Sequence, residues 1–235
     1  MRQNPDALML FAAGFGTRMG ALTATCPKPL IKVAGRALID RALDIADAAG
    51  VARRVVNLHY LGEQIAAHLA GRADVVFSWE RQAILETGGG LRAASPLLPP
   101  GPVFTLNPDA VWTGANPLAA LRAAWEPARM GALLLLLPAA KARGTASSGD
   151  FTLDAQGRIV RAKGAAGMVY LGAQIVDPAG LADIPQAAFY LNLLWDKLIA
   201  EGRAFGLLHR GGWCDVGHPA GLAEAEAMLR GADVS

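Results

Sequence analysis

Short apolar runs alternate with amphipathic stretches along the first hundred residues. Ala7–Phe11, Val55–Leu58, Val75–Trp79 and Val103–Leu106 have the length and composition of buried strands. Between them, Ala37–Ala49 sets Leu38, Ile39, Leu43, Ile45 and Ala46 on a helical apolar face, and Gly50 ends it. Leu61–Leu69 repeats that pattern with Ile65 and Leu69, and Thr87–Leu97 opens a third helix at a glycine run. Strand–helix alternation of this kind predicts a doubly wound α/β sheet, which binds ligands beyond the carboxyl ends of its strands.

The second half reads differently. Asp150–Leu153 and Arg158–Arg161 flank Asp154-Ala155-Gln156-Gly157, the pattern of a β-hairpin. Val169–Val176 and Ala204–His209 add strands, and Gly221–Leu229 closes the chain as an amphipathic helix. Phe189–Glu201 is expected to be helical, with Leu193, Leu194, Leu198 and Ile199 inward and Gly202 as its stop. With no internal repeat and no low-complexity linker, the expectation is one domain over residues 1–235. Its fold class is α/β, a doubly wound mixed sheet with a small β-rich subregion.

Composition narrows the function classes. Hydrophobic residues make up 53% and charged residues 18% of 235, enough for a sizeable core and too apolar for disorder. The longest apolar stretch, Ala132–Leu137, falls far short of the roughly 20 residues that span a bilayer. Met1–Asp6 carries one basic residue and then an acid, and the run behind it enters a glycine loop without a small-residue cleavage site. That argues against a signal peptide and for a cytoplasmic location. Cys26 and Cys214 are too few for a disulfide framework or a thiolate zinc site, and the four histidines show no ligand spacing. A net charge of +2 with scattered Lys and Arg leaves no basic stripe for a polynucleotide. Small-molecule substrates are expected, with no nucleic acid and no membrane, in a monomer or weak homo-oligomer.

Phosphate must then be held locally. Ala12-Ala13-Gly14-Phe15-Gly16-Thr17-Arg18-Met19-Gly20 follows the first strand directly, and its small residues expose backbone N–H groups suited to phosphate oxygens. Met19 replaces the third glycine of a dinucleotide fingerprint, and no Gly-Lys-Ser/Thr follows, so neither that motif nor a P-loop is present. The glycines alone fit a tight turn better; Arg18 adds a permanent cation with forked donors. In Cys26-Pro27-Lys28-Pro29-Leu30 the prolines favour extended backbone at Cys26 and Lys28. They present Lys28, expected to be exposed, as a point charge, although the same tripeptide also suits a surface turn. Asp109, after the fourth strand, and Asp215, in Trp213-Cys214-Asp215-Val216-Gly217, suit a metal as well as a helix cap and a turn. Trp112 and Trp213 flank them, with core packing expected ahead of sugar stacking.

Taken together, Gly-Phe-Gly-Thr-Arg-Met and Pro-Lys-Pro-Leu resemble the signature of the sugar-1-phosphate nucleotidyltransferases. Leu85-Glu86-Thr87-Gly88-Gly89-Gly90, Asn107-Pro108-Asp109, Gly149-Asp150-Phe151 and Gly212–Gly217 carry the likeness from Ala7 to the final helix. The pattern is closest to the N-acetylmuramate 1-phosphate uridylyltransferase branch. The resemblance implies a Rossmann-like nucleotidyltransferase fold, with a nucleotide-binding half over about 1–115 and a sugar-binding half over about 116–235. It implies that Ala13, Gly14, Gly16 and Thr17 wrap the nucleotide, and that Arg18 and Lys28 neutralise its triphosphate. Glu86, Thr87 and Gly88 would lie against the base, where a backbone N–H and C=O read uracil. Asn107, Gly149 and Asp150 would face the sugar phosphate, and Asp109 and Asp215 would hold Mg²⁺.

The implied reaction is attack by a sugar 1-phosphate oxygen on the α-phosphorus of UTP, with pyrophosphate leaving. The alternatives are another base or hexose 1-phosphate, or a catalytically weak nucleotide-sugar sensor. The family usually has Asn-Gly-Asp where this chain has Asn107-Pro108-Asp109, and proline offers no N–H and no positive φ. The turn is therefore expected to differ in geometry. Many relatives continue into a β-helix of hexapeptide repeats; here the sequence ends at Ser235, and no appended acyltransferase is expected.

Overall fold

In a computed structural model, residues 4–232 are described; Met1–Gln3, part of the N-terminal reading, lie outside them. The chain begins with β1 (Ala7–Phe11), followed by the glycine loop and the short hairpin β2 (Lys32–Val33) and β3 (Arg36–Ala37). Next come α1 (Leu38–Ala48), β4 (Arg53–Leu58), α2 (Gly62–His68), β5 (Val75–Trp79), α3 (Glu86–Ala94) and β6 (Val103–Leu106). After β7 (Ala110–Trp112) and α4 (Pro117–Ala124), the apolar stretch too short for a membrane becomes β8 (Ala132–Pro138). β9 (Phe151–Leu153), β10 (Ile159–Arg161), β11 (Met168–Val176), α5 (Asn192–Ala200), β12 (Ala204–Leu208), β13 (Trp213–Asp215) and α6 (Pro219–Ala232) complete the chain.

One nine-stranded mixed sheet joins the two halves. β5, β4, β1 and β6 lie side by side and parallel, with Leu8 opposite Arg54 on one flank and Phe104 on the other. β11 then pairs antiparallel with both β6 and β8, and β12 runs parallel to β8 at the far side. A register shift between Tyr170 and Gln174 bends β11 around Gly172, whose φ is 77°. The β9–β10 hairpin forms where the spacing predicts it. It extends the main sheet, through Phe151 opposite Met168 and a bridge from Arg158 to Phe205. No helix among the described residues is long and apolar enough to cross a membrane.

Alternation explains how both faces are covered. Leu8 and Leu10 of β1 point into a core completed by Leu43 of α1 and Leu118 of α4, while Ala7 and Met9 join Leu91 of α3 and Leu194 of α5. The helix expected from Phe189 starts only at Asn192, because the Phe189 carbonyl accepts the N–H groups of Gly88 and Gly89 at 2.8 and 3.1 Å. Within the helix Leu193 faces outward, 42% exposed, and Trp195 faces inward, with its indole N–H on Gln174 Oε1 at 2.9 Å.

Candidate active site

The carboxyl ends of β1, β4 and β6 open onto a cleft of about 270 Å³. Ala13, Gly14, Gly16, Thr17 and Arg18 form one wall, and Lys28 and Pro29 close it from below. Glu86 and Thr87, at the start of α3, form the opposite lip, and Asn107, Pro108 and Asp109 descend from β6. Of the residues named from sequence, these ten with proposed roles converge: Ala13, Gly14, Gly16, Thr17, Arg18, Lys28, Glu86, Thr87, Asn107 and Asp109.

Local chemistry explains the placement. Gly16 sits at φ 64°, and a Cβ there would lie 2.9 Å from Lys28 Cβ, so the glycine lets the Pro-Lys-Pro segment close against the loop. Lys28 is not the exposed cation the sequence suggests. It starts a 3₁₀ turn, Lys28–Leu30, and its side chain is only 11% exposed, with Nζ 2.6 Å from Asp109 Oδ2. Its partner lies 81 residues away, so no local pattern could announce the burial.

Asp109 and Asp215 meet through the two-stranded ribbon β7–β13, in which Ala110 pairs with Asp215 and the Asp109 carbonyl accepts the Val216 N–H at 2.8 Å. Burial, and then the charge of Asp109, push the Asp215 carboxyl up to about 6, while Lys28, Arg18 and His218 pull it down. Arg18 NH1 stands 3.9 Å from Asp215 Oδ2 and is largely solvent-exposed. The negative charge of Asp109 makes ionisation of Asp215 costlier, and two hard-oxygen carboxylates so placed are a donor set that suits a divalent cation. Among the described residues no cluster of three His, Cys, Asp or Glu exists, so further ligands would be substrate oxygens and water.

Proline is accommodated in the Asn107-Pro108-Asp109 turn. Asn107 gives its N–H to the Gly172 carbonyl at 2.8 Å, and the far side is held by the Asp109 carbonyl, so no N–H is needed from residue 108. None of the three residues has positive φ. Trp213 packs in the core, its indole N–H on the Leu171 carbonyl, with Trp112 at its edge.

Four residues named from sequence do not line the cleft: Asp215, which stands beside it at Arg18, and Gly88, Gly149 and Asp150. Gly88 is buried, its N–H goes to the Phe189 carbonyl at 2.8 Å, and a Cβ there would collide with the edge of the Phe189 ring. Gly149 and Asp150 brace the sheet. Gly149 lies against the backbone of Gly167, and Asp150 Oδ2 accepts the Tyr170 N–H at 2.8 Å. Sequence reasoning missed Asn57, Ile84 and Gly217, which line the cleft. The signal for Asn57 was present: one amide inside the apolar run Val55-Val56-Asn57-Leu58.

The MobA-like NTP transferase domain matches residues 8–147. The chain is 44% identical, over 97% of its length and 99% of the relative's, to an N-acetylmuramate alpha-1-phosphate uridylyltransferase of Caulobacter vibrioides. It is 34% identical to the protein of the same name from Neisseria meningitidis serogroup B, covering 94% of this chain and 96% of that one. HddC from Yersinia pseudotuberculosis, solved with GMP-PN, shares the fold with a TM-score of 0.76 at 18% identity, over 95% of this chain and 99% of that one. Matched by sequence over nearly its whole length and by fold, the chain belongs to the MobA-like NTP transferase family and is a nucleotidyltransferase.

Proposed function

We propose that the enzyme transfers the uridylyl group of UTP to N-acetylmuramate 1-phosphate, forming UDP-N-acetylmuramate and pyrophosphate in cytoplasmic recycling of cell-wall sugar. The observation that carries this reading is the pairing of Lys28 with Asp109 and of Arg18 with Asp215 at one cleft, where four distant segments bring two cations and two carboxylates together. Two relatives spanning nearly the whole chain carry that activity in their names.

In this reading Asp109 and Asp215 hold Mg²⁺, which supplies charge neutralisation at the phosphates. The chain's own groups do the rest. Gly14, with nothing within 4 Å of a Cβ built on it, leaves backbone open to the nucleotide. Arg18, long and largely exposed, meets the triphosphate with forked donors, and Lys28, buried against Asp109, is a fixed point charge on the same wall. Glu86 and Thr87 meet the base, and Asn107 meets the sugar phosphate on the β6 side. In this reading the half about 1–115 supplies the contacts to both nucleotide and sugar phosphate, and the half about 116–235 contributes Asp215 and Gly217.

A phosphate monoester, with a second pKa of about 6, is largely dianionic at neutral pH, so the attacking oxygen needs no general base. Catalysis is then positioning and charge stabilisation. The test is pyrophosphate release with four NTPs crossed against several sugar 1-phosphates, with and without Mg²⁺. UTP with N-acetylmuramate 1-phosphate is expected to lead. Faster turnover with another pair reassigns the substrates, and UTP binding without any turnover makes the protein a sensor.

A further inference from the structure

At the cleft wall, hydrogen bonds run through two buried side chains to which the transfer reaction assigns no step: Asn57, which lines the cleft, and Glu80, which does not. Ala12, the first residue after β1, gives its N–H to Asn57 Oδ1 at 2.8 Å. Asn57, near the end of β4, gives Nδ2 to Glu80 Oε1 at 2.7 Å. The other carboxylate oxygen, Oε2, accepts the Leu85 N–H at 2.7 Å. Asn57 and Glu80 are 3% and 4% exposed, so water does not substitute for these partners.

The ends of this relay dictate its direction. A backbone N–H only donates, so Asn57 must turn its oxygen to Ala12 and its nitrogen to residue 80. Leu85 also presents an N–H, so residue 80 must accept at both of its polar atoms. Glutamate does so; glutamine would set one donor against another. The relay joins the two segments that enclose the nucleotide, because Ala12 leads into the glycine loop and Leu85 leads into Glu86 and Thr87. Glu86 is held at φ 60°, a left-handed backbone unusual for a residue with a side chain.

A second observation fits the same device. A Cβ on Gly90 would lie 2.7 Å from Glu80 Oε1 and 3.0 Å from Asn57 Nδ2. The last glycine of Glu86-Thr87-Gly88-Gly89-Gly90 therefore makes room for the relay.

We infer that Glu80, acting through Asn57, is a positioning residue for nucleotide binding, fixing the spacing between the glycine loop and the Glu86–Thr87 lip. The inference rests on the nucleotidyl-transfer reading of the cleft. Glu80→Gln keeps the size of the side chain and reverses one polar contact. It is expected to weaken UTP binding by calorimetry about tenfold and to raise KM for UTP in step, while kcat and KM for the sugar phosphate stay within about twofold. Hydrogen exchange should quicken together in peptides containing Ala12 and Leu85, a readout independent of activity. Adding Asn57→Asp to Glu80→Gln restores a consistent direction. The new carboxylate at 57 accepts from Ala12 and from the amide at 80, whose oxygen accepts from Leu85. UTP affinity and amide protection should return to within about threefold of the parent.

Unchanged UTP affinity in Glu80→Gln, equal losses for both substrates, or no recovery in the double variant would overturn the inference. A parent protein that binds no UTP would instead indict the nucleotide reading.

Discussion

Asp215→Asn separates a carboxylate kept for metal chemistry from one kept for the fold. Only 16% of the Asp215 side chain is exposed, and burial together with Asp109 raises its pKa from 3.8 to about 6. Two pH units at 1.36 kcal/mol each make roughly 3 kcal/mol. Since the native value is the higher one, between about pH 4 and 6 the folded protein keeps a proton that the unfolded chain has lost. Stability from this group is therefore greatest below pH 4 and falls by about 3 kcal/mol as pH rises through 6. Without metal at pH 7.5, Asp215→Asn should unfold later than wild type by up to about 3 kcal/mol, or roughly 6–10 °C in Tm. The difference between the two proteins isolates this carboxyl from groups of opposite sign, such as Asp74, which the Arg72 guanidinium holds at about 2. Urea or thermal unfolding in EDTA and in Mg²⁺, at pH 4.5 and 7.5, measures all of it. Mg²⁺ should stabilise wild type at pH 7.5 but not at pH 4.5, and should leave Asp215→Asn unchanged at both. The variant should have no Mg²⁺-dependent turnover. An Asn variant less stable than wild type at pH 7.5, or one stabilised equally by Mg²⁺, refutes the shared-metal reasoning.

Three further outcomes are expected. Lys28→Ala breaks a 2.6 Å charged contact and leaves Asp109 unpaired, so it should cost about 2 kcal/mol of stability and lower kcat about a hundredfold; a kcat within threefold of wild type removes Lys28 from the mechanism. Gly88→Val drives a branched side chain into the Phe189 ring and should cost about 3 kcal/mol in urea unfolding, raising KM for both substrates; a change confined to UTP would restore Gly88 to the nucleotide site. Glu86→Gly releases a left-handed backbone worth about 1–2 kcal/mol against a glycine entropy cost of about 0.5–1, so unfolding should show stability unchanged or raised by up to about 1.5 kcal/mol; a loss above about 1 kcal/mol would mean the Glu86 side chain carries more than the strain it imposes.

Much of the site was legible because its parts are local. The glycine loop follows a clear strand, and Gly16 needs a backbone that only its residue type adopts easily, so both its place and its reason appear in sequence. The ribbon uniting the two aspartates is different: β7 and β13 have three residues each, too short for any period to register, and they pair across a hundred positions. Lys28 looked exposed because lysines usually are, and the buried ion pair that overrides the habit is long-range. A triple glycine reads equally as an open ligand surface and as space filled by neighbours. Phe189 and Ala187 fill it at Gly88 and Gly89, and neither is close in sequence; Glu80 and Asn57 fill it at Gly90. Leu193 and Leu194 are both apolar, yet neighbours on a helix point about 100° apart, and the structure buries the face of Leu194, Trp195 and Leu198 and leaves Leu193 outside it.

β11 has consequences for how the chain is made. It is wedged between β6 and β8 and touches β9, yet its last residue, Val176, is synthesised some seventy positions after β6 ends. Until β11 leaves the ribosome, β6, whose four residues are all buried in the finished fold, presents Val103, Phe104 and Leu106 beside one unpaired edge, a configuration prone to pair with a neighbouring chain. The first 115 residues, although they contain the four parallel strands β5, β4, β1 and β6, should not fold as a free fragment. Nascent chains arrested before residue 176 should need a chaperone, and chains released past it should not.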